Sequence, residues 1–126
     1  MRVDLVDSGQ QRVKLIAMIG SVSENLGLAR DRLGVELSEK FGGLFMCIGE
    51  GFWSSVGEQY IDSYPRDSIR KEPCLYMEVS VLVHQAESAK EYIRERCRFY
   101  NRQLNLGCTY LHLEQLVTTA HHCRID

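Results

Sequence analysis

The residues best suited to chemistry are the cations of a helix predicted over residues 86–104. Lys90, Arg94, Arg98 and Arg102 recur at every fourth position, so they lie along one stripe of that helix. Glutamates stand three positions before the first three of these cations, at Glu87, Glu91 and Glu95. Arg102 has no acidic neighbour of this kind, and neither does Arg96. The stripe therefore carries more positive charge than its own helix can pair.

A site for a phosphorylated small molecule is the functional interpretation of Arg98 and Arg102. Arginine suits this role because its planar guanidinium binds two phosphate oxygens at once. A segment earlier in the chain supplies further cations, Arg66, Arg70 and Lys71. The same segment supplies aromatic rings that can stack on a base, Trp53, Tyr60 and Tyr64. The alternative is a solvated ladder of weak ion pairs, with Arg102 favoured by the dipole at the helix C-terminus.

Acid–base or nucleophilic catalysis is a further possibility. His112 and Glu114 are two residues apart on a predicted strand, so they project side by side, and a carboxylate can orient an imidazole as a general base. The same pair on a subunit interface needs no catalysis. Cys108 would act as a nucleophile only with a base beside it, for which His84 and His112 are the candidates. We therefore leave enzymatic activity uncertain and favour a protein without it.

A metal site is considered because histidines and a cysteine cluster near the C-terminus, at His112, His121, His122 and Cys123. Their spacing matches no closed tetrahedral zinc set, and the chain has no Cys-x-x-Cys pair. No phosphate-binding glycine loop of the Walker or dinucleotide type is present either. We predict no metal and no cofactor, and an exposed tail over residues 120–126.

The elements that must position these residues follow from hydrophobic periodicity. Apolar residues alternate over 13–19, 75–83 and 111–117, whereas 43–49 is a short continuous apolar run, and each of the four stretches predicts a strand. Helical spacing predicts one helix that starts with a capping box at Ser21 and Glu24 and ends at Gly42 and Gly43. Val22, Leu26, Ala29, Leu33 and Leu37 form its apolar face. The second helix buries Ala86, Ala89, Ile93, Cys97, Tyr100 and Leu104.

The order strand, helix, strand, strand, helix, strand predicts a ferredoxin-like α+β fold. In this βαββαβ arrangement, two helices cover one face of a four-stranded antiparallel sheet. The other face would carry apolar, aromatic and acidic residues, which favours a homodimer or higher oligomer through the open sheet. A ligand pocket between the sheet and its partner is the alternative. Residues 1–10 are predicted to be an N-terminal extension, and residues 50–73 a long functional loop.

Composition restricts the class of protein. The 126 residues correspond to a single domain, 1–126, with 44% hydrophobic and 25% charged residues, as in a soluble globular protein. The net charge of −2 argues against nucleic-acid binding. No apolar run is long enough to cross a membrane, and the acidic N-terminus does not resemble a signal peptide. The five scattered cysteines favour reduced, mostly buried thiols in a cytoplasmic protein.

An ordered series of short motifs carries a family resemblance. It consists of Gly20 with Val22-Ser23, Gly51-Phe-Trp53, Arg70-Lys-Glu72 before a strand, and Tyr100-Asn-Arg-Gln103 before the last strand. The series, over residues 13–118, resembles an uncharacterised family of small bacterial and phage α/β proteins. The segment 105–109 departs from the glutamine-plus-valine run of that family. The resemblance implies the fold and no activity, although compact proteins of this size are frequent among phage counter-defence factors.

Three functional hypotheses follow. The first is non-catalytic binding and sequestration of a small anionic, nucleotide-type ligand by an oligomeric protein, as in phage counter-defence. The second is a protein–protein inhibitor or adaptor that docks through the loop around Trp53. The third is a small enzyme that uses His112 and Glu114.

Overall fold

In the computed structural model, which describes residues 9–126, four strands form one antiparallel sheet in the order β2-β3-β1-β4. The elements are β1 (Gln10–Gly20), α1 (Leu26–Phe41), β2 (Phe45–Ser54), β3 (Ile69–Leu82), α2 (Ala86–Gln103) and β4 (His112–Ala120). The two helices pack on one face of the sheet. This is the predicted ferredoxin-like α+β fold. Of the predicted N-terminal extension, residues 1–8 lie outside the described residues, and Gln10 already belongs to β1.

The core lies between the helices and one face of the sheet. Every second residue of β1 from Val13 to Ile19 is buried, and so is every second residue of β3 from Leu75 to Val81. In both strands, the buried face is therefore the predicted one. The predicted apolar face of α2 is buried throughout, and that of α1 is buried from Leu26 to Leu37. Each large aliphatic side chain buried here contributes about 1.5–3 kcal/mol to stability.

The start of α1 differs from the prediction. The helix begins at Leu26, not at a capping box formed by Ser21 and Glu24. Ser21 is buried, and its Oγ donates a hydrogen bond to the carbonyl of Leu106 at 2.6 Å, a contact that joins residues far apart in the chain. Val22, predicted on the apolar face, is 80% exposed. The predicted end is correct, because Gly42 adopts a left-handed conformation (φ 88°) and its N–H bonds to the carbonyl of Ser38.

The predicted loop over residues 50–73 is largely a β-hairpin. β2 continues to Ser54 and β3 begins at Ile69, with Trp53 opposite Arg70 and Gly51 opposite Glu72. The connection is limited to residues 55–68, which contain two short 3₁₀ turns. Hydrogen bonds within it order this connection, including Ser68 Oγ to the carbonyl of Pro65 at 2.6 Å. The hairpin thus positions residues that the sequence assigned to a loop.

The connection from α2 to β4 is fixed by side chains of two different elements. The amide of Asn101 makes two hydrogen bonds of 2.8 Å with the backbone of Cys108, one to its carbonyl and one from its N–H. Asn25, at the start of α1, donates to the carbonyl of Leu104 at 2.9 Å. These bonds, with the one from Ser21 to Leu106, hold the segment 104–108 against the end of the sheet.

The two helices are joined by an ionic network centred on Glu36. Arg96 binds its carboxylate through two hydrogen bonds of 2.9 and 3.0 Å, and the hydroxyl of Tyr100 donates to it at 2.7 Å. Burial opposes ionisation of Glu36, but the hydrogen bonds from Arg96 and Tyr100 and the charge of Arg96 outweigh it and lower the pKa of the carboxyl group. Arg96, which has no acidic neighbour in its own helix, is therefore paired with α1.

We expect the substitution Glu36→Gln to reduce the free energy of unfolding at neutral pH by about 1 kcal/mol, because the charge-assisted hydrogen bonds become neutral ones. The folded-state pKa of Glu36 is lowered, so its contribution is complete above the pKa of the unfolded chain. It disappears as the pH falls through the folded-state value. Urea unfolding of both proteins between pH 7 and pH 3 measures this difference. A difference that stays constant over that range would contradict the network.

The cysteines are less buried than predicted. Cys97 is buried, Cys74 and Cys108 are half-buried, and Cys47 and Cys123 are exposed. All five are free thiols. Within residues 9–126, neither helix has the length and apolar character needed to cross a membrane.

Candidate functional site

A small cavity lies between the second half of α2 and the chain that leads into β4. We call it the arginine cavity and define it by Arg94, Arg98, Asn101, Arg102 and Thr109. Its volume is about 310 Å³. The every-fourth spacing predicted from the sequence places the three guanidinium groups along the same side of this cavity. It therefore offers several hydrogen-bond donors and no carboxylate among its lining residues.

The cations of the arginine cavity differ in their pairing. Arg94 forms an exposed ion pair with Glu91 at 3.3 Å, and Lys90, one turn earlier, pairs with Glu87 at 2.7 Å. The guanidinium groups of Arg98 and Arg102 make no ion pair or hydrogen bond within the described part of the chain. The ladder predicted from the glutamates therefore accounts for Lys90 and Arg94 and leaves Arg98 and Arg102 available to an external anion.

The loop cations predicted to join Arg98 and Arg102 lie elsewhere. Arg70 donates to the carbonyls of Asp67 and Ile69, and Lys71 pairs with Glu50 at 3.2 Å and lies over the ring of Phe52. Arg66 is in a 3₁₀ turn of the 55–68 connection. None of the three lines the arginine cavity. The structure thus brings together Arg98 and Arg102 but not the predicted five-cation set.

Of the predicted aromatic residues, Trp53 lines a second cavity described below, whereas Tyr60 and Tyr64 line neither that cavity nor the arginine cavity. Tyr60 is 89% exposed and adopts a left-handed backbone conformation, and the hydroxyl of Tyr64 donates to the carbonyl of Gly57 at 3.2 Å. Both belong to the connection at the far end of the hairpin. They are not placed to stack on a ligand held by Arg98 and Arg102.

A larger cavity, which we call the sheet groove, lies on the open face of the sheet at the end where β1 finishes. It is defined by Gly20, Gly51, Trp53, Glu72, Tyr76 and Tyr110 and has a volume of about 1010 Å³. This volume matches that of a typical small-molecule site, and its walls are mainly apolar and aromatic. Cys108, Thr109 and Tyr110 line both the sheet groove and the arginine cavity. The two cavities are therefore neighbours that share one wall.

The indole of Trp53 lies across the floor of the sheet groove because two glycines make room for it. A Cβ atom on Gly20 would lie 2.6 Å from Cη2 of Trp53, and a Cβ atom on Gly51 would overlap the same ring. No other residue type would leave the indole in this position. Trp53 remains 39% exposed, so part of its surface is open to a ligand.

Two thiols of the sheet groove, Cys74 and Cys108, are poorly suited to nucleophilic catalysis. Burial and the nearby charge of Glu72 raise the pKa of Cys108, whose Sγ lies 3.2 Å from the carbonyl of Gly20. Burial, Glu72 and Cys47 raise the pKa of Cys74. A catalytic cysteine needs the opposite shift, because the thiolate is the reactive form.

His112 and Glu114 form a loose pair on the open face. Their Nε2 and Oε1 atoms are 3.4 Å apart, and each side chain is 55% exposed. His112 lies at the sheet groove, whereas Glu114 does not line it. The enzyme hypothesis requires a closed pocket around both residues, and the geometry provides none. Within residues 9–126, no three His, Cys, Asp or Glu side chains come close enough together to hold a metal ion.

Sequence reasoning missed several residues that form these cavities. Glu72 was assigned to a loop and Gly20 only to the end of a strand, because glycine-rich strand ends carry few side chains from which periodicity can be read. Asn101 lies within a helix whose apolar pattern gave it no role. The motifs Gly51-Phe-Trp53 and Arg70-Lys-Glu72 did contain a signal, since their register opposite each other builds the floor of the groove.

No protein-family model matches the chain, and a search of curated proteins gives no significant match.

Proposed function

We propose that this protein binds a small phosphorylated ligand of the nucleotide type without converting it chemically. The observation that supports this most directly is that Arg98 and Arg102 line a cavity without an ion pair to any described residue. By contrast, Arg96, Lys14 and Lys71 each have an acidic partner on a neighbouring element.

The electrostatics of α2 favour an anion at this position. Arg98 and Arg102 are one turn apart, and a like-charge pair at this spacing destabilises a helix by about 0.2–0.5 kcal/mol. The helix dipole compensates for a cation only within the last turn, where Arg102 lies. A phosphate group between the two guanidinium groups would remove the repulsion and accept charge-assisted hydrogen bonds from both.

The sheet groove supplies the surface for the rest of the ligand. A phosphate in the arginine cavity would place an attached ring system near Thr109 and Tyr110, which line both cavities. The exposed part of Trp53 provides a stacking surface in the groove. Because neither the thiols nor the pair of His112 and Glu114 is arranged for catalysis, we propose sequestration rather than turnover.

We further propose that the protein is a cytoplasmic homo-oligomer whose subunits associate through the open face of the sheet. The observed register places Ile16, Met18 and Leu116 on that face, together with the ion pair of Lys14 and Glu78 at 2.9 Å. A face of this composition buries apolar area when it meets another protein surface. Light scattering of the purified protein measures the subunit number.

The double substitution Arg98→Ala and Arg102→Ala tests ligand binding. We expect it to weaken the affinity for a nucleoside monophosphate about 100-fold, because two charge-assisted hydrogen bonds to the phosphate are lost. Isothermal titration calorimetry measures the affinity after a thermal-shift screen of nucleotides, cyclic nucleotides and sugar phosphates has identified a ligand.

A matched control is the double substitution Arg30→Ala and Arg32→Ala on α1, which removes the same charge away from both cavities. It is expected to retain the affinity of the unchanged protein. Equal affinity of all three proteins for every ligand found would contradict a phosphate site at Arg98 and Arg102.

A second candidate function, docking to a protein partner, is favoured by the far end of the hairpin. Phe52, near the end of β2, is 62% exposed, and Tyr60 and Ile61 of the connection that follows are exposed as well. Two results together would support this function over ligand binding. No compound in the thermal-shift screen would raise the melting temperature of the folded protein, and Trp53→Ala would abolish binding to a protein partner. The packing of Trp53 against Gly20 and Gly51 makes it a support of this hairpin.

A further inference from the structure

Glu72 is the unpaired carboxylate of the sheet groove. It stands opposite Gly51 in the register of β2 and β3, and a Cβ atom on Gly20 would lie 2.5 Å from its Oε1. Glu50, the other acid of the groove, pairs with Lys71 at 3.2 Å. Within the described part of the chain, the carboxylate of Glu72 has neither an ion pair nor a hydrogen bond. One half-buried carboxylate is thus left facing the groove.

The surroundings of Glu72 make hydrogen-bond donors from a ligand favourable. Among the described residues, no lysine or arginine lines the groove. The ring of Trp53 and the carboxylate of Glu72 both lie beside Gly20, and the thiols of Cys74 and Cys108 line the same groove. A carboxylate that loses water without gaining a donor is destabilised, so a ligand that fills the groove must bring donors to it. The position beside an aromatic ring suits a planar group that stacks and donates at its edge.

We propose that the sheet groove selects a guanine base, with Glu72 accepting hydrogen bonds from the ring N1–H and the exocyclic amine while the base stacks on Trp53. This inference rests on the proposed binding of a nucleotide-type ligand. A carboxylate accepts two parallel N–H donors well, and guanine presents two such donors next to each other. Adenine presents one amine beside a ring nitrogen with a lone pair, which a carboxylate repels. Hypoxanthine keeps the N1–H and lacks the amine.

The shared wall makes this base position compatible with a phosphate at Arg98 and Arg102. Cys108 lines both cavities, and its Sγ lies 3.2 Å from the carbonyl of Gly20. The carboxylate of Glu72 also lies beside Gly20, so Glu72 is close to that wall. On the other side, Asn101 binds the backbone of Cys108 and lines the arginine cavity. A nucleoside monophosphate along segment 108–110 would reach both groups.

Calorimetric titration of the unchanged protein with guanosine, inosine and adenosine monophosphates tests the preference without any substitution. We expect the guanosine compound to bind at least about tenfold more tightly than the adenosine compound, with the inosine compound between them. Glu72→Gln is expected to reduce the ratio of guanosine to adenosine affinity to below about threefold. Glu58→Gln, a matched substitution in the connection outside both cavities, is expected to retain the full ratio.

The outcomes separate this inference from the proposed function. Equal affinities for the three monophosphates would overturn the guanine site, and so would a guanosine preference that persists in Glu72→Gln. In either case, binding that is lost in the double substitution of Arg98 and Arg102 would still support the proposed function. Absence of binding by all three, with tight binding of a sugar phosphate, would overturn the guanine site and restrict the function to the arginine cavity. Absence of binding by every phosphorylated compound would overturn both.

Discussion

The substitution Leu33→Ala is expected to reduce the free energy of unfolding by about 2–5 kcal/mol. Leu33 is fully buried at the centre of the face that α1 presents to the sheet. Its removal loses apolar burial and leaves a cavity that the neighbouring helix and strands fill only in part. Domains are stable by about 5–15 kcal/mol in total, so this single change removes a large share. Urea unfolding followed by circular dichroism measures it.

Val35→Ala is the matched control on the same helix. Val35 is 61% exposed, and alanine is the better helix former, so a change within about 0.5 kcal/mol is expected. The slope of the unfolding free energy against urea concentration should remain the same in both variants. If the two substitutions had equal effects, the assignment of the buried face of α1 would be wrong.

The substitution Asn101→Ala is expected to reduce the unfolding free energy by about 1–3 kcal/mol and to weaken ligand binding as well. It deprives the N–H and the carbonyl of Cys108 of their partners at once. The wall shared by the two cavities is then held less firmly. Hydrogen exchange should show faster exchange at the amide of Cys108, and calorimetry should show a lower affinity for the nucleotide.

Asn25→Ala provides a graded comparison for Asn101→Ala. It removes a single hydrogen bond, to the carbonyl of Leu104, from the same segment. About half the loss of stability is expected, with the amide of Cys108 still protected. A larger effect of Asn25→Ala than of Asn101→Ala would show that the segment is held mainly from α1.

The sheet and its core were predictable because one face is buried from Val13 to Ile19 in β1 and from Leu75 to Val81 in β3. Burial of one face of a strand makes apolar residues recur at every second position, and this pattern holds without exception around Leu15 and around Met77. The same argument placed Arg98 and Arg102 on one side of α2. These features depend only on local spacing and on which side meets the core.

The rest depended on partners that are distant in sequence. The local sequence predicts that the hydroxyl of Ser21 caps a helix, but in the structure it donates a hydrogen bond to the carbonyl of Leu106. The sequence gives Arg96 no acidic partner within α2, because its partner Glu36 belongs to α1. The sequence predicts a loop at the end of β2, because Gly49 and Gly51 lack the side chains that would show an alternation on the open face. Neither cavity could be foreseen without these long-range contacts.

Trp53 is the only tryptophan of the chain, and its indole rests on two glycines beside Glu72, away from the buried core. The intrinsic tryptophan fluorescence of the protein therefore reports on a single place, the sheet groove. Its fluorescence should respond to occupancy of the groove or to fraying of the hairpin, both of which leave the helices intact. A shift in emission at constant circular dichroism would then report a local event, and the two signals together would separate it from global unfolding.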